Sequence, residues 1–598
     1  MTHFNKYKTE NRNLSAISLA KLKTINGFIL PMVIVAMVIL IILAVGEMMS
    51  CYHYRIKAVR TKAETEAMLA AEAGYERALF WMSQQSDILG ALQAGGGSGT
   101  INFGTSGCSY EVSFLDFIGA RPVFRILVTG ISGKPAFSRI VDVAVMQEVT
   151  GWAMGVCMIP DSPTTLIGVY FADSEIIDIP IHINDQHETP DAIDIFLIGS
   201  PKFLRKVEMG ESRHTTTGTD KYGSVMSCFE GGIYFNQPYI RITNEAAVQS
   251  KVNRFRDSTK AAYRFTSDGT AGVTPRCSAV QLEFFVEANV GKVRITNHCT
   301  VMGFQQNNNN RTKDFKIVPG SGGASFQRYD IYAYHYKPTD VTPVVATIED
   351  TYVTQSFGGE QSEPGGQIYV DGSVVIGSCD YEDMVVKGKI TVVATGNIWI
   401  ADNIVVDGQH DANGLPVADN PNILGLMAQG VIKVVDPGMS NYASGNPNNY
   451  PGPAPATTTD VADANASSTR KHRYKPVCNG TSATTNVRIL PDPTIIEAAL
   501  TVGGGGWGAE NVERQSGSNK YGNRKENPTP AGNNDTLIVR GSISEAVRGA
   551  VGLVDADGYL KTYRMDNRLT EGLLPGDIWF SGKFVPAPAG WQDYRASN

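Results

Sequence analysis

Gly27-Phe28-Ile29-Leu30-Pro31-Met32-Val33-Ile34-Val35-Ala36-Met37-Val38-Ile39-Leu40-Ile41-Ile42-Leu43-Ala44-Val45 is the stretch on which the fold turns. After the glycine come 18 uncharged, almost wholly apolar residues. At about 1.5 Å per residue they make a helix of about 27 Å, enough to cross the hydrocarbon of a bilayer. A secretory signal peptide would have a shorter apolar core with a small-residue cleavage site behind it. Here Gly46, Glu47, Met48, Met49, Ser50 and Cys51 follow, and the pattern runs on as helix. The segment is therefore expected to be retained as an anchor, with any processing in front of it. Ahead of Phe28 stand Lys6, Lys8, Arg12, Lys21 and Lys23 against Glu10 alone. That asymmetry puts the leader on the cytoplasmic side and the rest of the chain beyond the inner leaflet.

From Tyr52 to Trp81 no proline interrupts the chain, and strong helix formers dominate. Ile56, Val59, Ala63, Ala67, Ala70, Ala71, Gly74, Ala78 and Trp81 recur at three- and four-residue spacing as a narrow stripe of mainly small residues. Arg55, Arg60, Lys62, Glu64, Glu66, Glu72 and Glu76 fall largely off it. One continuous helix from Phe28 to about Met82 is predicted, apolar all round at first and amphipathic later. Such a helix can span a membrane and pack beside copies of itself.

On these residues the chain resembles a known family. Gly27-Phe28 before an apolar helix is similar to the leader-peptidase junction of type IV pilins and pseudopilins. Ala70-Ala71-Glu72-Ala73-Gly74-Tyr75-Glu76-Arg77-Ala78-Leu79 resembles the corresponding stretch of PilX-type minor pilins. The resemblance covers about residues 24 to 82. It implies cleavage after Gly27 by a prepilin peptidase, methylation of the new N-terminal Phe28, and assembly through the helix, with Met32, Ala70, Ala71, Glu72, Gly74, Glu76 and Arg77 on the assembly element. One departure matters. Major pilins carry a glutamate at the fifth mature position, where this chain has Met32. A carboxylate in lipid is costly unless it is paired, so its loss argues for a minor subunit at a filament end. Pro31 falls in the first helical turn, where its missing N–H costs nothing.

Composition bounds the remainder. At 598 residues the chain is too long for one domain. Only 19% of residues are charged and there are 61 Gly and 29 Pro, so the exported part reads as loop- and turn-rich. The net charge of −7, with no basic block beyond the leader, gives nucleic-acid binding little support. The eight cysteines contain no C-x-x-C, which removes zinc-knuckle and thioredoxin-like readings. They do not fix a pairing. Cys277 with Cys299 is one candidate, and Cys51 at the membrane edge is expected to be free.

Beyond the helix, Tyr110–Phe114, Val123–Thr129 and Ser138–Val145 read as a small antiparallel meander over the helix end. Between Gln367 and Val435, short apolar strands closed by Gly or Asp recur every 6–10 residues or so, from Ile368-Tyr369-Val370-Asp371-Gly372 to Val431-Ile432-Lys433-Val434-Val435. Stacked β-solenoid coils are the favoured reading, against a sandwich of tight hairpins. Leu537–Ile543 repeats the beat as a final rung, and Ile195–Gly199 with Gly232–Phe235 reads as the first rungs. Near the end, Gly558–Leu569 is expected to cap the open edge, with Asp566 and Arg568 available as an ion pair.

The expected fold is α+β: a leader (1–27), a spanning and assembly helix (28–90), a β meander (91–150), the first part of a β head (151–248), an inserted β module (249–357), solenoid rungs (358–435), Pro/Gly/Asn-rich flexible loops (436–535), and a final rung with cap (536–598). Catalysis finds no support. Acidic groups gather at Asp173, Glu175 and Asp178, at Asp185, Glu188, Asp191 and Asp194, and at Glu360, Glu363 and Asp371. A solvated face or an incidental calcium site accounts for them more simply than a paired-carboxylate glycosidase. No H-E-x-x-H, G-x-S-x-G or Walker loop is present. His214 and His298 read as polar loop residues, and no cofactor or metal site is assigned. The expectation is a minor pilin or pseudopilin in the inner membrane, partnered by prepilin peptidase and other pilin subunits. Its head would lie in the periplasm or on the cell surface for adhesion or contact with polysaccharide or cargo. The alternative is a membrane-tethered solenoid enzyme acting on polysaccharide.

Overall fold

The structure, a computed structural model, describes residues 29–85, 87–118, 121–133, 136–149, 151–159, 162–166, 168–185, 187, 189–240, 245–266, 276–304, 314–318, 325–329, 333–337, 344–348, 352–357, 360–377, 383–434, 493–503, 506–509, 536–549, 551–552, 559–571, 574 and 583–595. Gly27, Phe28, Glu188, the side chain of His298 and the segments 305–310, 435–492 and 510–535 lie outside it.

The unbroken apolar and Ala-rich run forms one helix, α1 (Ile29–Gln84, 56 residues). A short helix, α2 (Ile88–Gln93), follows, its first turn capped by Asp87, whose carboxylate accepts from the Gly90 N–H at 3.1 Å. Four strands then build an antiparallel meander: β1 (Ser98–Phe103), β2 (Ser106–Ile118), β3 (Arg121–Ser132) and β4 (Phe137–Gln147). The inward positions of this sheet, Val112, Phe124, Ile126, Val128, Val141, Val143 and Val145, join Ala70, Ala71, Tyr75, Ala78 and Met82 of α1 in one core. Period-2 burial in β4 meets period-3.6 burial in the helix, as expected for a helix on a half-buried sheet.

The fifth strand of that sheet is the surprise. Phe584–Arg595, close to the C-terminus, pairs antiparallel with β4, Tyr594 opposite Ile140 and Val585 opposite Met146. The 536–598 segment was expected to be rung and cap, but its last strand belongs to the first module. Pro586 and Pro588 disguise it, since proline suits an edge strand and weakens a strand reading. Trp591 lies edge-on to Tyr75 at 5.1 Å, and Arg139 pairs with Asp593 at 2.7 Å.

Everything from Trp152 to Met565 is therefore inserted between two neighbouring strands. This region is β-rich, and its sheets are largely parallel. Glu360–Asp371, Lys389–Ala394, Ile423–Ala428, Thr494–Val502 and Thr536–Arg548 follow one another as parallel neighbours. A second parallel sheet runs through Ser373–Ile376, Ile398–Ile400, Ile432–Val434 and Trp507–Ala509. A third set has Val207 opposite Ile181 on one side and Ile233 on the other, each 26 residues away. The apolar inward positions merge into one continuous core.

Several sequence-based expectations change here. The 195–199 and 232–235 rungs do not precede the 366 rung in space. Instead Trp152–Ile159 and Ile176–Asp178 sit beside the last strands, Ile543 opposite Trp152 and Tyr563 opposite Ile177. Leu560–Met565 is thus an internal strand, flanked on both sides, not a cover over an open edge. Arg264–Thr266 pairs with Tyr369–Asp371 at the opposite end of the ladder. The inserted module opens with a helix, α3 (Glu245–Ser258), with Val252 and Phe255 buried. Its hairpin Arg276–Glu287/Val290–Phe304 extends the second parallel sheet. Thr494–Val502, assigned to loops because of its Gly/Pro-rich flanks, is a nearly wholly buried strand.

Candidate assembly surface

Helix α1 divides into two halves with different surroundings. From Leu30 to Arg55 every residue is exposed, and Ala63 is the first that is buried. The exposed half is long and apolar enough to cross a membrane. Met32 is 73% exposed and puts no carboxylate in this segment.

The covered half explains the small residues. A Cβ on Gly130 of β3 would lie 2.1 Å from the Ala67 carbonyl oxygen and 2.5 Å from the Ala71 nitrogen. A Cβ on Gly74 would meet Val128 Cγ1 at 2.5 Å and Cys108 Sγ at 2.9 Å. The stripe is small where the chain's own sheet lies close against it. Of the residues placed on the assembly element, Ala70, Ala71 and Gly74 face the chain's own sheet. Glu72, Glu76 and Arg77 face outward and remain accessible, Arg77 lying 5.1 Å from the Phe80 ring.

The inserted region is fastened to this module at two places that sequence reasoning missed. At the first, Asp87 takes a hydrogen bond from Ser250 Oγ at 2.5 Å and an ion pair from Arg254, both on α3. Burial alone would raise the Asp87 carboxyl, but Arg254, Ser250 and the Gly90 N–H outweigh it and hold it below the usual carboxylate range. At the second, the two chain crossings are stapled together: the Glu148 N–H donates to the Lys583 carbonyl at 2.8 Å, and Lys583 Nζ reaches Glu148 at 3.1 Å and Glu208 at 3.3 Å. Hydrogen bonding from His182, with help from Lys206 and Lys583, overrides burial and holds Glu208 down to about 2.

The described members of the first two acidic clusters make separate structural contacts, while the side chains of Glu360 and Glu363 lie outside the described residues. Asp178 binds Arg205 at 2.7 Å, Glu175 binds the buried Lys561 at 3.1 Å, and Asp173 accepts from the Ser200 N–H at 2.9 Å. Asp191 holds Thr216 through its N–H and hydroxyl, and Asp185 accepts from the His187 N–H. Asp194 meets His187 at 2.8 Å beside the Glu211–Lys221 pair, whose Nζ–Oε2 distance is 2.8 Å. Burial and the Glu211 charge push Asp194 up to about 7 against the pull of His187. Among the described residues no three His, Cys, Asp or Glu are grouped to hold a metal ion.

Trp152 and Trp507 are fully buried, where Thr536–Arg548 lies beside the strand that begins the insertion. There Glu545 accepts from Trp152 Nε1 at 3.0 Å and from the Trp507 N–H at 2.9 Å, and Arg548 stacks 5.0 Å over Trp152. Asp566 and Arg568 pair with each other at 2.6 Å, and Arg568 also donates to the Asn422 carbonyl at 2.8 Å. Cys51 is a free, exposed thiol, as expected. Cys277 and Cys299 stand on paired strands, with Cys277 opposite Val301 and Ala279 opposite Cys299.

No protein-family model matches the chain. No curated protein matches it. Among solved structures, the competence-associated pilin ComZ from Thermus thermophilus is similar over 89% of this chain and 98% of its own, at 11% identity and a TM-score of 0.24. At that score the two molecules do not superpose as wholes, and the likeness carries no functional argument. The chain's own architecture remains: a long helix, apolar and uncovered in its first half, with an antiparallel sheet packed on its second half and a large parallel β region beyond.

Proposed function

We propose that the chain is a minor pilin or pseudopilin of a type IV pilus or type II secretion-like filament. The observation that carries this reading is the uncovered half of α1, which exposes 15 large apolar side chains between Leu30 and Met49. Each forgoes roughly 1.5–3 kcal/mol in water, so this half belongs in lipid or against other helices. In this reading prepilin peptidase cuts between Gly27 and Phe28, the inner membrane holds the helix before assembly, and neighbouring pilin subunits hold it afterwards. Met32 in place of a carboxylate favours a position at or near the tip. Glu72, Glu76 and Arg77, the outward residues of the covered half, are the polar contacts available to neighbours. The β head, read as β-solenoid coils interrupted by inserted segments, is displayed for adhesion or cargo contact and performs no catalysis. Sequencing the N-terminus of the mature protein tests this: a start at Phe28 is expected, and an intact Met1 would sink the assignment.

A further inference from the structure

Between the end of the apolar run and the first residue covered by the sheet, α1 exposes a distinct band: Tyr52, His53, Tyr54, Arg55, Lys57, Arg60 and Lys62. No acidic residue occurs between Ser50 and Ala63. With about 3.6 residues per turn, Arg55 and Lys62 share one side of the helix, and Lys57 and Arg60 share the opposite one. Lys62 has only a loose contact with Glu66, 3.8 Å apart and exposed, which holds little energy. At about 1.5 Å per residue, Tyr52 lies about 33 Å along the axis from Leu30, at the depth where aromatic residues mark the edge of the hydrocarbon. The four cations occupy roughly the next 15 Å, before the sheet begins.

We propose that this basic collar binds the phosphate-bearing headgroups of anionic lipids on the outer side of the membrane that α1 spans. The proposal rests on the membrane-spanning reading of α1. Two observations select lipid over a protein partner. A partner helix meets one side of α1, whereas a headgroup layer meets every side, and the cations lie on two opposite sides. The collar also continues directly from the exposed apolar span through a pair of tyrosines, the order in which a bilayer presents hydrocarbon, interface and charge. The collar opposes the tendency to keep cations on the cytoplasmic side, and headgroup binding offsets that bias. In the unassembled subunit it would fix the depth of the helix and hold the head clear of the surface.

The test uses the full chain reconstituted in zwitterionic bilayers with trace spin-labelled lipid, either anionic or zwitterionic, and reads the immobilised fraction next to the protein. The expected result is a preference for the anionic probe of about fivefold or more, since one basic residue near a charged surface contributes about that factor. The preference should fall toward unity in about 1 M salt, where the Debye length is about 3 Å. It should also collapse in the variant R55Q/K57Q/R60Q/K62Q while the immobilised fraction of zwitterionic lipid is unchanged. No preference in the parent chain overturns the proposal. So does a preference that survives in the variant, because selection then resides in the leader. If neither probe is immobilised, the chain is not in the bilayer, and the membrane-spanning reading falls as well.

Discussion

Replacing Gly130 by alanine puts the closeness of helix and sheet to a direct test. The added methyl would sit 2.1 Å from the Ala67 carbonyl oxygen and 2.5 Å from the Ala71 nitrogen, well inside van der Waals contact. Both obstacles are backbone atoms of a regular helix, so no side-chain rotation relieves them. Overpacking of this kind costs typically about 1–3 kcal/mol, and the rigidity on both sides puts G130A at about 2 kcal/mol or above. Two kcal/mol is roughly a 30-fold rise in the population in which the sheet has parted from the helix. Cys108 reports that opening, because its thiol is 3% exposed in this interface, whereas Cys228 is buried in the inserted region. Thiol labelling of the full chain, read peptide by peptide, should show Cys108 reacting about 30-fold faster in G130A, with Cys228 unchanged. G74A should do less: its neighbours are the side chains of Val128 and Cys108, which can shift, and alanine in a helix interior returns up to about 1 kcal/mol. A Cys108 rate within twofold of the parent chain, or an equal rise at Cys228, would refute the close-packing argument.

Other expectations concern the buried polar groups. Glu545→Ala removes the buried carboxylate that pairs with Arg548 and accepts from the Trp152 and Trp507 N–H groups, so a loss of about 3–5 kcal/mol should appear in urea unfolding of the inserted region. Asp87→Ala removes a cap and the anchor for Ser250 and Arg254, so hydrogen exchange should quicken in α2 and α3 together, by about 1–2 kcal/mol; a change in α2 alone would contradict the fastening. Asp194 has its folded pKa raised from 3.8 to about 7, so the unfolded chain binds fewer protons over that range. Its contribution is therefore most favourable below about pH 4 and is lost as pH rises through 7. Asp194→Asn should flatten this part of the profile in urea midpoints measured against pH. Glu208, depressed from 4.5 to about 2, runs the other way, stabilising above about pH 4.5 and losing its effect toward pH 2. Glu208→Gln should lower stability at neutral pH and leave it unchanged near pH 2.

Local pattern made part of this molecule readable. The length and apolarity of residues 28–45 specify a helix that needs no partner in the chain, and the valine alternation in 138–145 specifies a half-buried strand. The 367–435 region was legible as strands because most of its short apolar runs are followed closely by Gly or Asp. The parallel order in which the strands associate depends on contacts far apart in sequence, so it was not. Thr494–Val502 lost its signal to Pro- and Gly-rich flanks, although Ile495, Ile496 and Leu500 are strand-forming residues. Phe584–Arg595 hid behind two prolines that an edge strand tolerates. The Ala/Gly stripe was legible as a stripe, but its contact with the chain's own sheet was not, because spacing specifies a face and not which partner covers it. For the outward Glu72, Glu76 and Arg77 the structure adds accessibility but no contact.

The return of the chain to β4 bears on how the molecule carries load. Both connections to the inserted region leave from the same end of two adjacent antiparallel strands, at Gln147 and Phe584, joined just beyond by the Glu148–Lys583 hydrogen bond. A pull on the head along these strands is divided between them and acts across the ladder bonds side by side, in shear, so they must yield together. β4 is held by β3 on one flank and by Phe584–Arg595 on the other. A head hung from a single strand at the sheet edge could be peeled away one bond at a time. This one is tethered as a loop from both ends, so a break in either connection still leaves it attached to the helix.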